Sequence, residues 1–312
     1  MSRIRFMSMV PPPALRWNEV PVEARELYIL KGYRPLSVGV VKSLASAFAL
    51  HNETLNIWTH ALPLIYFAWW TILDLGDARS LQAPGSHHPL YAYIIGVLTL
   101  FAVSTGAHLL MSVSWRWRQV CFMLDYAAIS FYGVATARAY YHYTGNTEHS
   151  TKWYLLATSA AALAATFACC WTRVSQPKSA HYIRTLSFFL PFAFASLPAL
   201  SRLYVDAYFR LRFLKHVFLL VCGAAVKVSK VPERFAPGTF DIFGHSHQVF
   251  HVLVFLGIRE QFWIVMDDVK QVESSSSSSP ISAFGPLAVL AALMLITLAF
   301  FSARGDTPKK NK

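Results

Sequence analysis

Charge is what this 312-residue chain has least of. Asp, Glu, Lys and Arg make up only 14% of it, against about 25% in a soluble domain, while 55% is hydrophobic. So few charges cannot clothe a water-facing surface, and the composition excludes an ordinary soluble domain in favour of a membrane protein. Acidic groups are the scarcer sign: 16 against 28 Lys and Arg, a formal net charge of +12. The basic residues stand singly at the ends of apolar runs and form no clusters. That pattern argues for no nucleic acid partner and for membrane-proximal loops drawn to an anionic lipid bilayer. Cysteine is rare too. Cys121, Cys169, Cys170 and Cys222 all lie in apolar stretches without the paired spacing of a zinc or redox motif, so no disulfide framework is expected. The first residues lack an apolar h-region, so insertion is expected to rest on the first membrane helix and not on a cleavable signal.

What the chain does have is apolar runs. Eight segments approach the roughly 20 residues that span a bilayer, at about 55–75, 90–113, 119–141, 153–172, 182–204, 213–229, 243–266 and 281–302. The expected fold is an all-α integral membrane protein: a seven-helix transmembrane bundle plus an eighth C-terminal transmembrane helix. Before the first span, residues 1–50 are basic and amphipathic. The block PVEARELYILKGYRPL is expected to lie in the membrane interface as a short helix, ended by Lys31-Gly32 and Pro35. The run Ser274 to Ser279 reads as a linker that sets the eighth span apart. The division is therefore an N-terminal region at 1–50, a seven-helix core at 51–270, a Ser-rich linker at 271–280, and a final helix with a short basic tail at 281–312. Counting Lys and Arg in alternate loops gives about 19 on the N-terminal side of the membrane and about 8 on the other, which predicts a cytoplasmic N-terminus.

That orientation gives the polar residues a depth. In DIFGHSHQVFHVLVFL (241–256), His247 and His251 stand at i and i+4, about 6 Å apart on one helix face. His108 near the end of the second span, Asp125 near the start of the third, and this histidine pair all fall in the cytoplasmic third of the bilayer. Three neutral imidazoles with a fourth position open are the ligand set of a catalytic type of zinc site. Asp125 would then be a fourth ligand or a neighbour of the metal-bound water, and Ser104, four residues before His108, would hydrogen-bond beside it. The alternative is a set of helix-packing polar groups that satisfy one another without a metal; the shared depth favours the metal.

Other polar residues carry weaker expectations. His245 lies off the face of the pair and reads as a cavity-rim residue. Glu53 reads either as a second rim residue or as a carboxylate favoured at a helix start. Trp58 suits an interfacial anchor, and Arg138, deep in the third span, requires a partner. His87 and His88 fall in a loop and are expected to be solvated. The glycosylation sequon at Asn52 is expected to be silent on the cytoplasmic side. Pro191 and Pro198 would kink the fifth span and open a cavity beside it.

At this point the sequence resembles the progestin and adipoQ receptor family over about residues 22–266. The motifs that carry the resemblance are HNETLNIWTH at 51–60, the Ser104…His108 pair, LDYAAI at 124–129 and VPERFAPGTFDIFGHSHQVFHV at 231–252. The GHSHQ form, the GYRPL segment and the eighth span are closer to the membrane progestin receptors than to the adiponectin receptors. The resemblance implies a seven-helix bundle with its N-terminus in the cytosol and zinc held by His108, His247 and His251. It also implies Asp125 near the water and Ser104 beside it. Two functions follow from it. One is a plasma-membrane receptor for a progestin-like steroid, with a heterotrimeric G protein as its partner. The other is a zinc-dependent, ceramidase-like lipid amidohydrolase in which Asp125 takes a proton. No steroid-contact residue is assignable from the motifs, and a transporter is disfavoured by the lack of an inverted repeat.

Overall fold

The computed structural model describes residues 14–76, 84–144, 148–271 and 278–304. An apolar chain with no water to bond its backbone must pair every N–H and C=O internally, which is why these residues are helical nearly throughout. The long helices are α2 (Thr54–Leu75), α3 (Pro84–Leu110), α4 (Trp115–Tyr143), α5 (Glu148–Ser175), α9 (Ala207–Ser229), α10 (Ser246–Gln271) and α11 (Pro280–Ser302), with a short α1 at Val40–Ala45 before them. Their starts follow capping chemistry. Ser114 Oγ accepts from the Trp117 N–H, and Asp206 Oδ1 accepts from that of Phe209. Ser279 Oγ caps α11, with Pro280 at its first position.

Among the described residues, five helices are long and apolar enough to cross a membrane: His87–Leu110, Trp115–Tyr143, Trp153–Ser175, Ser246–Gln271 and Pro280–Ser302. The outward faces are apolar, as Leu62, Ile65 and Ile72 on α2, Leu211 and Phe218 on α9, and Val289 and Ile296 on α11 illustrate. The buried set, by contrast, includes many charged and polar groups. Apolar outside and polar inside is the arrangement of an integral membrane protein. The four cysteines are free thiols.

The stretch expected as one span at 182–204 comes in pieces: α6 (Ala180–Leu186), α7 (Phe189–Ser196), a 3-10 turn at Leu197–Ala199 and α8 (Arg202–Val205). Each proline falls in the first turn of a new piece, where its missing N–H costs nothing. A second correction concerns residues 21–36, where the expected interfacial helix does not form. Val22–Ala24 makes one 3-10 turn, and Lys31–Tyr33 (β2) pairs antiparallel with Leu15–Arg16 (β1). The backbone here is committed to other parts of the chain. Leu30 N–H donates to Asp241 Oδ1 (2.9 Å), and Gly32 O accepts from Asn52 N–H (2.9 Å). Gly32 has φ +87°, and a Cβ on it would lie 3.1 Å from Asn52 N.

The last helix, α11, is not set apart in space. Its Leu287, Leu290, Met294 and Leu298 share an apolar cluster with Met123, Ala127 and Val134 of α4 and Ala162 of α5. Arg138 finds its partners there. Its Nε donates to Ser282 O (3.1 Å), and its Nη2 donates to the hydroxyls of Ser278 (2.6 Å) and Ser282 (3.0 Å). His87 and His88 are likewise not solvated loop residues. Both lie in the first turns of α3, His87 is buried, and His88 Nδ1–H donates to Ser278 O (2.7 Å). The α3–α4 contact is the closest in the bundle to a glycine: a Cβ on Gly96 would sit 2.5 Å from Ala135 Cβ and 3.3 Å from Tyr132 Cα. Small residues let membrane helices approach in this way. Gly96→Ala is therefore expected to destabilise the protein by about 1–3 kcal/mol through overpacking. Thermal unfolding in detergent reads this directly, and an unchanged midpoint would mean that the helices are not packed so closely.

Candidate metal centre

Three imidazoles from two helices meet beneath the N-terminal ribbon. Ring nitrogens of His108 at the end of α3 and of His247 and His251 in the first turns of α10 all lie within 4.8 Å of one another. His108 and His251 are buried, and His247 is half-buried. The helical i, i+4 spacing places His247 over His251 at 4.4 Å between ring centroids, and His108 closes the triangle at 5.0 Å from each.

Hydrogen bonds decide which nitrogen of each ring is free. Glu53, the residue that begins α2, accepts from His108 Nδ1–H at its Oε2 (2.8 Å), and the same oxygen accepts from Asn56 Nδ2 (2.6 Å). A carboxylate can only accept here, so His108 Nε2 keeps its lone pair for a metal. Thr59 does the same for His251. Its hydroxyl proton goes to Leu55 O (2.5 Å), so its oxygen accepts from His251 Nδ1–H (3.1 Å) and His251 Nε2 is left open. The donor set of neutral imidazoles suits zinc.

His247 breaks the pattern. Its Nε2 faces His108 Nε2 at 3.3 Å, but its Nδ1 meets the amino group of Lys227. An ammonium donating to Nδ1 puts the ring proton on Nε2, where it blocks ligation. Metal binding through His247 Nε2 thus requires that Lys227 be an uncharged acceptor or turn away.

The N-terminal segment locks this arrangement. Arg34 Nη1 donates to Leu109 O (2.9 Å) and Ser46 Oγ (2.9 Å), and its Nη2 donates to His108 O. A guanidinium on the last carbonyls of α3 complements the negative helix end that carries His108. At the other helix, the Glu233 carboxylate accepts from the Ser246 N–H (2.7 Å) and hydroxyl at the positive start of α10. His51, in the turn before α2, donates from Nε2 to Ser46 O (2.9 Å) and accepts the Glu53 N–H at Nδ1 (3.1 Å). It therefore holds the residue that orients His108.

The remaining sequence candidates sort by position. Asp125 and Ser104 are buried in the same cavity, within hydrogen-bonding reach of each other, but Asp125 lies outside the 4.8 Å ligand set. His245 is buried at the cavity wall and donates to Asn52 O (3.0 Å). Asn52 itself is buried. Glu53 lines the cavity and faces inward onto His108 and Asn56, and although it stands just before α2 its side chain makes no cap hydrogen bond. Thr59, Lys227, Arg34 and Glu233 were missed. Glu233 and Thr59 stand inside recognisable motifs, but nothing in their type distinguishes a histidine-orienting group. Lys227 falls at the end of the apolar run at about 213–229, where a basic residue is ordinary.

The cavity around these residues has a volume of about 330 Å³ and runs from the triad into the middle of the bundle. Apolar side chains make most of its walls, among them Leu100, Phe122, Ile129, Phe192, Val254 and Ile258. The broken stretch contributes Phe188, Phe189, Pro191 and Phe192, so the prolines that interrupt it also shape the cavity.

Residues 48–262 match the family model described as Haemolysin-III related. Human membrane progestin receptor delta is 30% identical over 96% of this chain and 92% of its own length. Mouse membrane progestin receptor delta is 33% identical over 85% and 81%, and human membrane progestin receptor gamma 30% over 96% of each.

Glu53→Gln weakens the orientation of His108 and is expected to lower zinc affinity about 10- to 100-fold in a chelator competition, whereas Lys227→Met is expected to raise it about tenfold or more. Equal affinities in all three proteins would contradict the assigned hydrogen bonds. Burial, and then the Arg34 guanidinium, push His51 down to about 4 from its ordinary 6.5. The unfolded chain therefore binds more protons in that window. The stability from neutral His51 is present above pH 6.5 and lost as pH falls towards 4. A thermal series over this range should decline less steeply for His51→Asn, and identical slopes would rule out the contribution.

Proposed function

The chain belongs to the Haemolysin-III-related family, of the progestin and adipoQ receptor type, and from that premise we propose that it is a membrane receptor for a progestin-like steroid. The observation that carries this reading is the cavity. At about 330 Å³ it falls in the range of roughly 300–1,000 Å³ typical of small-molecule sites, and it is largely apolar with a few placed polar groups. Such a space suits a rigid, oxygen-bearing apolar ligand. Phe189 and Val221 both line it and are each 46% exposed. In this reading the steroid enters between the broken stretch and α9, from the lipid in which it dissolves. Relatives that share 30% of the sequence over nearly the whole chain are named membrane progestin receptors, which supports the same ligand class here.

The finer architecture is part of the proposal. We take α2, the broken stretch and α9 as further membrane crossings beside the five long apolar helices. That gives a seven-helix core over 51–270 and an eighth helix at 281–302, joined by the Ser-rich linker. The basic bias of the loops supports a cytoplasmic N-terminus and tail, with the triad near the cytosolic side of the plasma membrane. In this reading zinc is held by His108, His247 and His251, oriented by Glu53 and Thr59, and ties the end of α3 to the start of α10. When bound, zinc would supply a Lewis-acid centre. The chain's own residues favour a structural use of it. Lys227 competes for His247, whereas a hydrolase needs a freely loaded site.

The test is saturable binding of progesterone to the purified protein in lipid nanodiscs. The expected outcome is a Kd of about 1 µM or tighter, with competition by unlabelled steroid. Removal of metal by a chelator is expected to lower the thermal midpoint. Folded protein with only non-saturable uptake at 10-fold higher steroid would refute the receptor reading.

A further inference from the structure

The cavity has polar groups at two levels, and only one of them is the histidine triad. At the upper level stands His60. It is 3% exposed, lines the cavity, and stacks on His251 at 3.7 Å between ring centroids. Neither of its ring nitrogens has a hydrogen-bond partner among the described residues. A buried imidazole with both nitrogens unmet is costly unless something is meant to meet them. Stacking fixes the ring plane without using either nitrogen.

The lower level is a cluster of four cavity-lining residues from three helices: Tyr132 and Thr136 of α4, His216 of α9 and Gln261 of α10. Its hydrogen-bond directions follow from a single fixed point. Gly257 O can only accept, so His216 Nδ1 (2.8 Å away) carries the proton and His216 Nε2 must accept. Gln261 therefore turns its nitrogen to His216 (3.4 Å) and its oxygen to Tyr132 and Thr136, both of which donate to it, Thr136 from 3.3 Å. The other Gln261 N–H has the buried Tyr140 hydroxyl within reach but makes no formed bond to it, so it is the donor of the cluster still open to an acceptor. His216 and Gln261 are almost fully buried, at 1% and 2% exposure, so this is a built site and not a surface accident.

The two levels are separated consistently on different helices. His251 and Gln261 are ten residues apart on α10, and Lys227 and His216 eleven apart on α9, which is about 15 to 17 Å along either axis. That is the scale of a rigid fused-ring body with a hydrogen bond at each end.

We propose that the cavity is a two-ended clamp, in which His60 binds an oxygen at one end of a rigid apolar ligand and the Gln261 amide, oriented by His216, Tyr132 and Thr136, binds a ketone or hydroxyl oxygen at the other. The assignment rests on the reading of this cavity as the ligand site and adds to it the two residues that select the ligand. It makes the metal unnecessary for ligand contact.

The experiment uses full-length protein in nanodiscs and three probes: progesterone, which has a ketone at each end, and two analogues that each lack one of those ketones. Wild type, His60→Phe and Gln261→Met are compared, with thermal midpoint and zinc content confirming that each is folded. Thr136→Val stands in for Gln261→Met should the latter not fold. Wild type is expected to bind each analogue about tenfold more weakly than progesterone. Gln261→Met is expected to lose discrimination against one analogue only, and His60→Phe against the other only. Variants that keep the wild-type preferences, or that weaken all three probes equally, would overturn the clamp while leaving the receptor reading intact. Absence of saturable progesterone binding to folded wild type would overturn both.

Discussion

The hydrogen bond from His108 Nδ1 to Glu53 Oε2 is the contact on which the rest of the site depends. It joins the start of α2 to the end of α3, and it decides which imidazole nitrogen faces the triad. Much of the surrounding structure maintains it. His51 positions the Glu53 backbone, Asn56 shares its carboxylate oxygen, and Arg34 bonds the carbonyls of His108 and Leu109. The N-terminal ribbon, which is not helical, is the means by which Arg34 arrives there. A buried carboxylate without these donors would carry several kcal/mol of desolvation cost, so the network and the site stand or fall together.

Much of the fold was legible because membrane helices announce themselves by length and apolarity, and each of the eight apolar segments coincides with helical structure. The triad was legible for a related reason. His247 and His251 share a face by spacing, and His108 shares their depth by the order of the spans. What stayed hidden was the set of residues whose importance comes from a neighbour distant in sequence. Thr59 orients a ring 192 residues away. Arg138 is satisfied by serines 140 and 144 residues downstream, which is why the linker looked like a break. The segment 21–36 looked amphipathic and helical, but its backbone groups are spent on Asp241 and Asn52, contacts that no local pattern encodes. The two prolines of the fifth span were visible, but the separation of that stretch into distinct pieces depended on packing around the cavity.

Lys227 and the second polar level shift the emphasis from the metal to the cavity. A lysine on His247 sets metal loading against a competing hydrogen bond, whereas both ring nitrogens of His60 are without a hydrogen-bond partner among the described residues inside the largely apolar cavity. In this arrangement the triad fastens α3 to α10, and the proposed ligand is read by His60 beside the triad and by Gln261 deeper in the bundle. Family membership, a largely apolar cavity and an inward set of polar groups support the proposed reading of a membrane receptor.

The claim that a steroid occupies this cavity is tested most directly by photocrosslinking a photoreactive progestin to the protein in nanodiscs and mapping the label by mass spectrometry. The account predicts label on cavity-lining residues of α7 and α10, such as Phe192 and Ile258, abolished by excess unlabelled steroid. Label confined to lipid-facing positions of α2 or α11, and indifferent to competitor, would contradict it.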